Sequence, residues 1–235
     1  MADSHATTVD TAVASPELRH HFADMEQQKN AASLGMWLFL VTEIMFFGGM
    51  FCAYLVYRTK YFNAFAAGSQ QLSIGMGAFN TAVLLVSSLT VVLAVRAAQD
   101  GKRKQLVSYL VITILLGLTF LGVKGVEYAE KFEKHHVPGP TFQFTDTFDD
   151  NGKKIPVDAQ HAQLFFSIYF AMTGMHALHM IIGCGLFSVL TVFAWKGRYT
   201  PGYYTPIENA GLYWHLVDII WIYLFPLLYL ISRHS

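Results

Sequence analysis

Charge is scarce in this chain. Asp, Glu, Lys and Arg make up 14% of its 235 residues, against about 25% in a soluble domain. Lys plus Arg equals Asp plus Glu at 16 each, and the basic residues form no stripe. That excludes a nucleic-acid partner, because phosphates need clustered cations. Cysteine is nearly missing. Cys52 and Cys184 each lie in an apolar run, so there is no disulfide framework and no zinc pattern. There is also no Cys-x-x-x-Cys pair for two coppers, no Cys-x-x-Cys-His for covalent haem, no Gly-rich nucleotide loop and no Ser/His/Asp arrangement. Residues 1–33 lack the basic start, short apolar core and cleavage site of a secretory leader. They are expected to form a polar tail, with the His20-His21 doublet solvated.

What remains is apolar. Hydrophobic residues are 54% of the chain and aromatics 15%. A bilayer core about 30 Å thick needs about 20 apolar residues of helix. Five runs meet that length, at about 34–57, 72–95, 106–126, 161–195 and 211–231. The sequence therefore predicts an all-α, polytopic membrane bundle of about five transmembrane helices over 34–232. The breaks are legible. Asn30 and Ser33 can cap the first helix, Gln99 to Lys104 is a tight polar turn, and Gly197 to Pro206 separates the last two helices. The longest connection, about 128–160, carries Pro138, Gly139, Pro140 and Pro156. Its alternating Phe142, Phe144 and Phe148, with a turn at Asp149-Asp150-Asn151-Gly152, suggest a short hairpin. Arg96, Lys102, Arg103 and Lys104 form the densest short basic cluster. The positive-inside rule places that turn in the cytoplasm, with the N-terminus inside and the C-terminus outside.

Ionisable residues within apolar runs are costly, so each is a functional candidate. Glu43 stands in LFLVTEIMFFGG with Phe39, Leu40, Phe46 and Phe47 on its face. It either exchanges protons or anchors a neighbouring helix. His176 and His179 are three apart and share a helix face. With His215 they offer ligands for a metal or haem, or they bond across helix interfaces. A metal site normally needs more ligands and supporting carboxylates. His215 and Asp218 are also three apart, suited to proton relay or to mutual satisfaction of two buried polar groups. Glu127 and Lys131 form an i, i+4 pair in the favourable order, expected at the outer water boundary with Lys124 snorkelling. Asn80, Ser87, Ser88 and Thr90 suit interhelical hydrogen bonds. Thr173, Ala177, Cys184 and Ser188, with Gly174, Gly183 and Gly185 close by, suit close helix packing.

Five segments in order, GMWLFLVTEIMFFGG, DGKRKQ, KGVEYAE, TGMHALHMIIG and NAGLYWHLVDIIWIYLFPLLY, resemble subunit III of the haem–copper oxidases. The resemblance runs over about 34–232. It implies a helical bundle beside the catalytic subunit I, with other oxidase subunits as further partners. No haem or copper is expected in this chain; both belong to partner subunits. It also implies bound phospholipid, support of proton uptake and protection during turnover. It assigns Glu43, His215 and Asp218 to the buried, proton-related positions, and His176, His179, Glu127 and Glu208 to helix-interface or lipid-related ones. Larger members have seven helices, and the resemblance here begins at their third. The 135–160 loop is longer than the family leads one to expect and is expected to meet a partner on the outer face, a larger respiratory assembly being one such partner. A quinol oxidase subunit or a nitric oxide reductase accessory subunit shares the same pattern. A haem-binding electron carrier using His176 or His179 with His215, and a small transporter with Glu43 as its proton site, are readings from other classes. A bacterial plasma membrane is the expected location.

Overall fold

The computed structural model describes residues 18–19, 22–140, 142–144, 147–148, 154–155 and 157–231. His20-His21 and the 149–152 turn lie outside them. The order is α1 (Met25–Lys60), α2 (Phe62–Gln70), α3 (Ile74–Gln99), α4 (Arg103–Glu133), β1 (Thr147–Phe148), β2 (Lys154–Ile155), α5 (Ala159–Trp195) and α6 (Thr205–Tyr229). All helices except α2 are long and apolar enough to cross a membrane, so the fold is an all-helical membrane bundle. Helices α3, α4, α5 and α6 pack in a closed square, each against the next and α6 back against α3, while α1 leans mainly on α6. Many large apolar side chains along the helices are exposed, among them Leu34, Met45, Leu89, Val126 and Ile181, as a lipid-facing surface requires.

Helix ends follow from local chemistry. Asp24 caps α1 by accepting from the Gln27 amide at 2.7 Å, while Gln27 Oε1 accepts from the Ala23 amide at 2.7 Å. Asn30 and Ser33, the expected caps, lie inside the helix, because its first two turns precede the apolar run. Gly101 (φ 70) and Gly197 (φ 76) close α3 and α5. In each case the following amide returns to a carbonyl five residues back, Lys102 to Ala97 and Arg198 to Phe193, and the left-handed residue is glycine because a Cβ is strained there. The Gly101 turn lies at one end of the bundle, the near end, and the α4–α5 connection lies at the other, the far end. At the close of α6 the Leu227 carbonyl has no helical donor, and Tyr54 of α1 supplies one at 2.6 Å. The short helix α2 is almost wholly buried over 64–69. Lys131 donates to the Gln71 carbonyl at its end, tying it to α4.

In the long connection β1 and β2 pair antiparallel, Thr147 with Ile155 and Phe148 with Lys154, so this loop does fold back as a hairpin. His136 stacks on Phe166 with ring centroids 5.0 Å apart and meets Phe144 at 5.7 Å. Burial holds its pKa below the ordinary value, Lys131 and Lys134 push it the same way, and Glu130 opposes them. The folded corner therefore takes up a proton less readily than the unfolded chain. Its stability is intact above the ordinary histidine value of about 6.5 and is lost as pH falls below it. Amide exchange over 135–144, corrected for intrinsic rate, is expected to rise on going from about pH 7 to about pH 5. His136→Phe should abolish the rise, and a parent profile flat with pH would contradict it.

Candidate functional site

Glu43 and His179 meet across the α1–α5 contact, with Oε2 3.0 Å from Nε2. The sequence placed them in separate groups, because only tertiary packing joins residues 136 apart. The proton count follows from the neighbours. His179 Nδ1 lies 2.8 Å from the Met175 carbonyl, which can only accept, so Nδ1 carries hydrogen. The Nε2···Oε2 contact then holds one shared proton, either on the acid or on the imidazole. In both forms the pair carries no net charge, as neutral acid and imidazole or as an internal ion pair, which a bilayer interior tolerates. Phe47 packs edge-on to the imidazole at 5.3 Å. The side chains stay 19% and 12% exposed, so the pair borders the lipid-facing surface.

His176 is different. It is fully buried, with Phe120 and Trp221 each 5.3 Å away, and neither ring nitrogen has a hydrogen-bond partner among the described residues. His215 lies on α6 and shares a 2.8 Å hydrogen bond with Ser88 of α3 through Nδ1. The three histidines thus face three separate surroundings, and the described residues bring no group of three His, Cys, Asp or Glu side chains together. Asp218 is 3% exposed. It does not bond His215; Ser88 of α3, which bonds His215, is also the hydroxyl that faces its carboxylate.

At the near end Glu208 faces Lys29 at 3.9 Å. They border a cleft of ≈ 550 Å³ that Trp37, Arg96 and His215 also line. A neighbouring cleft of ≈ 450 Å³ shares Lys29 and Asn209 with it. On α3, Ser87 accepts from the Trp214 indole at 2.9 Å and Thr90 bonds Thr113 at 2.8 Å, whereas Asn80 has no partner among the described residues. Gly117 and Gly183 both admit the Trp214 ring, so the small residues of α5 serve close packing in part.

Glu127 corrects the sequence reading most sharply. The expected Glu127–Lys131 pair does not form, and Lys124 does not snorkel. Lys124 is 2% and Glu127 0% exposed, with Nζ 3.0 Å from Oε2. Tyr169 and Tyr229 donate to Glu127 Oε1 at 2.7 and 2.6 Å. Lys124 in turn donates to the same phenols at 3.3 and 2.9 Å. Both Oε atoms and all three ammonium hydrogens are engaged, which is the condition for burying an ion pair in a low-dielectric interior. Four aromatic rings, of Tyr128, Tyr169, Trp221 and Tyr229, surround Nζ at 5.0–5.6 Å. The available signal was a lysine three residues from a glutamate within apolar surroundings, with tyrosines in two other helices to receive it.

The bundle, with an acid–imidazole contact at its lipid-facing edge and an acid–lysine pair sealed in its interior, defines a polytopic membrane protein with ionisable groups paired between helices. Residues 17–149 and 159–233 match the family "Cytochrome c oxidase subunit III". The chain is 32% identical over 203 residues to "Cytochrome c oxidase subunit 3" of Gallus gallus, covering 83% of this chain and 67% of the relative. It is 31% identical over 202 residues to "Probable cytochrome c oxidase subunit 3" of Nocardia farcinica, covering 86% of this chain and 89% of that one. For the Papio hamadryas subunit 3 the identity is 29% over 218 residues, 89% of this chain and 72% of the relative. The chain belongs to the cytochrome c oxidase subunit III family and is a subunit of a respiratory oxidase.

Proposed function

We propose that this chain carries no haem or copper, leaves electron transfer to partner subunits, and sustains proton uptake by the catalytic subunit I. The observation that carries this is the Glu43–His179 pair, which holds one shared proton at the edge of the lipid-facing surface. Such a pair passes its proton between acid and imidazole at constant net charge, and the single negative charge left when that proton departs lies at the partly exposed edge of the bundle rather than in its sealed core. His215 and Asp218, on the α6 face toward α3, are proposed as a second proton-related position beside the near-end cleft. His176 and Glu127 are proposed to hold helix interfaces. The clefts at the near end support phospholipid binding: Lys29 and Arg96 offer cations for a phosphate, Trp37 suits the interface, and Glu208 anchors Lys29. The basic near-end turn supports a cytoplasmic position for that end and for the N-terminus, and the Nocardia relative supports a bacterial membrane. The far-end hairpin is proposed to meet another subunit.

Glu43→Gln tests the proton role. A glutamine amide keeps a hydrogen-bond donor for Nε2 but cannot exchange the proton. The variant complex is expected to assemble with parental subunit content while its steady turnover falls or its activity decays faster. Identical turnover and identical decay in mutant and parent would remove the proton role from this pair.

A further inference from the structure

We infer that Tyr169 and Tyr229, with Glu127 as their proton acceptor, form a redox-active site that drains one-electron oxidants arising in the oxidase complex. This rests on the oxidase reading above. A phenol that loses an electron becomes a strong acid, so a buried tyrosine oxidises readily only where a base already holds its hydrogen bond. Geometry within about 2.6–3.2 Å is what proton transfer requires. Tyr169 and Tyr229 donate to the Glu127 carboxylate at 2.7 and 2.6 Å. Other buried phenols differ: Tyr54 and Tyr213 donate to the Leu227 and His179 carbonyls, which cannot hold a proton.

The site is wired to other oxidisable rings. Trp221 lies 6.4 Å from Tyr229, and Tyr169 lies 6.2 Å from Tyr128, centroid to centroid. Trp214 stands two helical turns from Trp221 on α6, about 10 Å along the axis. Trp214, Trp221, Tyr169 and Tyr229 are at most 1% exposed, which shields a radical from solvent and lipid, while Tyr128 is only half-buried. The two phenols are unequal. Lys124 Nζ is 2.9 Å from the Tyr229 oxygen and 3.3 Å from that of Tyr169. A cation close to an oxygen opposes removal of its electron, so Tyr229 relays and Tyr169 holds the radical.

The step balances. A peroxide-derived oxidant gains one electron from Tyr169. The phenolic O–H bond breaks, and its proton moves to Glu127 Oε1, leaving a neutral phenoxyl radical and a neutral carboxyl. A one-electron reductant such as ascorbate restores the phenol, which recovers the proton from Glu127.

The test uses the intact complex treated with hydrogen peroxide, frozen and read by electron paramagnetic resonance. Growth on ring-deuterated tyrosine identifies tyrosyl components by their narrowing. At least half of the tyrosyl signal is expected to vanish in Tyr169→Phe, and the variant should lose activity several-fold faster under peroxide at unchanged haem content. An equal signal and equal decay in the Tyr169→Phe/Tyr229→Phe complex would overturn the inference. Where the variants fail to assemble, the parental complex decides. Peptide mapping after peroxide should find oxidation concentrated at Tyr169, Tyr229 and Trp221 over Tyr54 and Tyr213, and an even distribution would overturn it. A complex without haem would contradict the oxidase reading itself; a photogenerated oxidant would then test the tyrosines alone.

Discussion

Lys124→Met is expected to destabilise the bundle by about 3–5 kcal/mol, because it leaves the Glu127 carboxylate buried without its counter-charge. Glu127 sits at 0% exposure where α4, α5 and α6 meet, so water cannot replace the lost ammonium. The two tyrosines still donate to Oε1, but Oε2 loses its donor. Adding Glu127→Gln to Lys124→Met removes the stranded charge, and the double variant should recover a large part of the loss. The readout is the temperature at which the chain leaves the purified complex or loses helical circular dichroism. Equal stability of Lys124→Met and parent would show that the ion pair contributes nothing to holding the three helices.

Gly117→Leu should act with comparable force through packing. A Cβ at Gly117 would already lie 2.8 Å from Cys184 Sγ and 2.9 Å from the Trp214 ring. Trp214 cannot retreat easily, since Ser87 holds its indole nitrogen at 2.9 Å and Phe187 packs on it at 5.0 Å. Overpacking a close-fitting core typically costs about 1–3 kcal/mol and sometimes more; a leucine must either spread α4 from α5 and α6 or not fit. Gly122 lies on the same helix with nothing near its would-be Cβ, so Gly122→Ala is the control and should be close to neutral. If Gly117→Leu assembled as well as Gly122→Ala, the close approach of these helices would not be required.

Much of the architecture was legible because the hydrophobic length rule is strong. The five long helices correspond to five apolar runs, and the turn at Gly101 and the break at Gly197 were marked by glycine and charge. Helix ends were less legible. The polar turns of α1 before residue 34 obey capping chemistry at Asp24, which hydropathy does not see. The site was legible as residue types and not as pairs. Glu43 stood out as a carboxylate in hydrocarbon, yet its partner His179 comes from a helix whose placement depends on the whole bundle. The histidine spacing suggested a joint role for His176 and His179, but an i, i+3 spacing fixes a face only loosely, and the two rings turn to different neighbours. Lys124 was misread for the same reason. From one helix alone, a lysine near the end of an apolar run snorkels; three aromatic rings from other elements, two of them phenols that accept from Nζ, make burial the better solution.

The most direct measurement is purification of the chain from native membranes in mild detergent, with identification of its companions and a reduced-minus-oxidised haem spectrum of the same sample. The expected result is copurification with a large catalytic subunit that bears the haem, and no haem signal from this chain once separated. A chain that purifies alone with its own haem spectrum would contradict a supporting role beside subunit I.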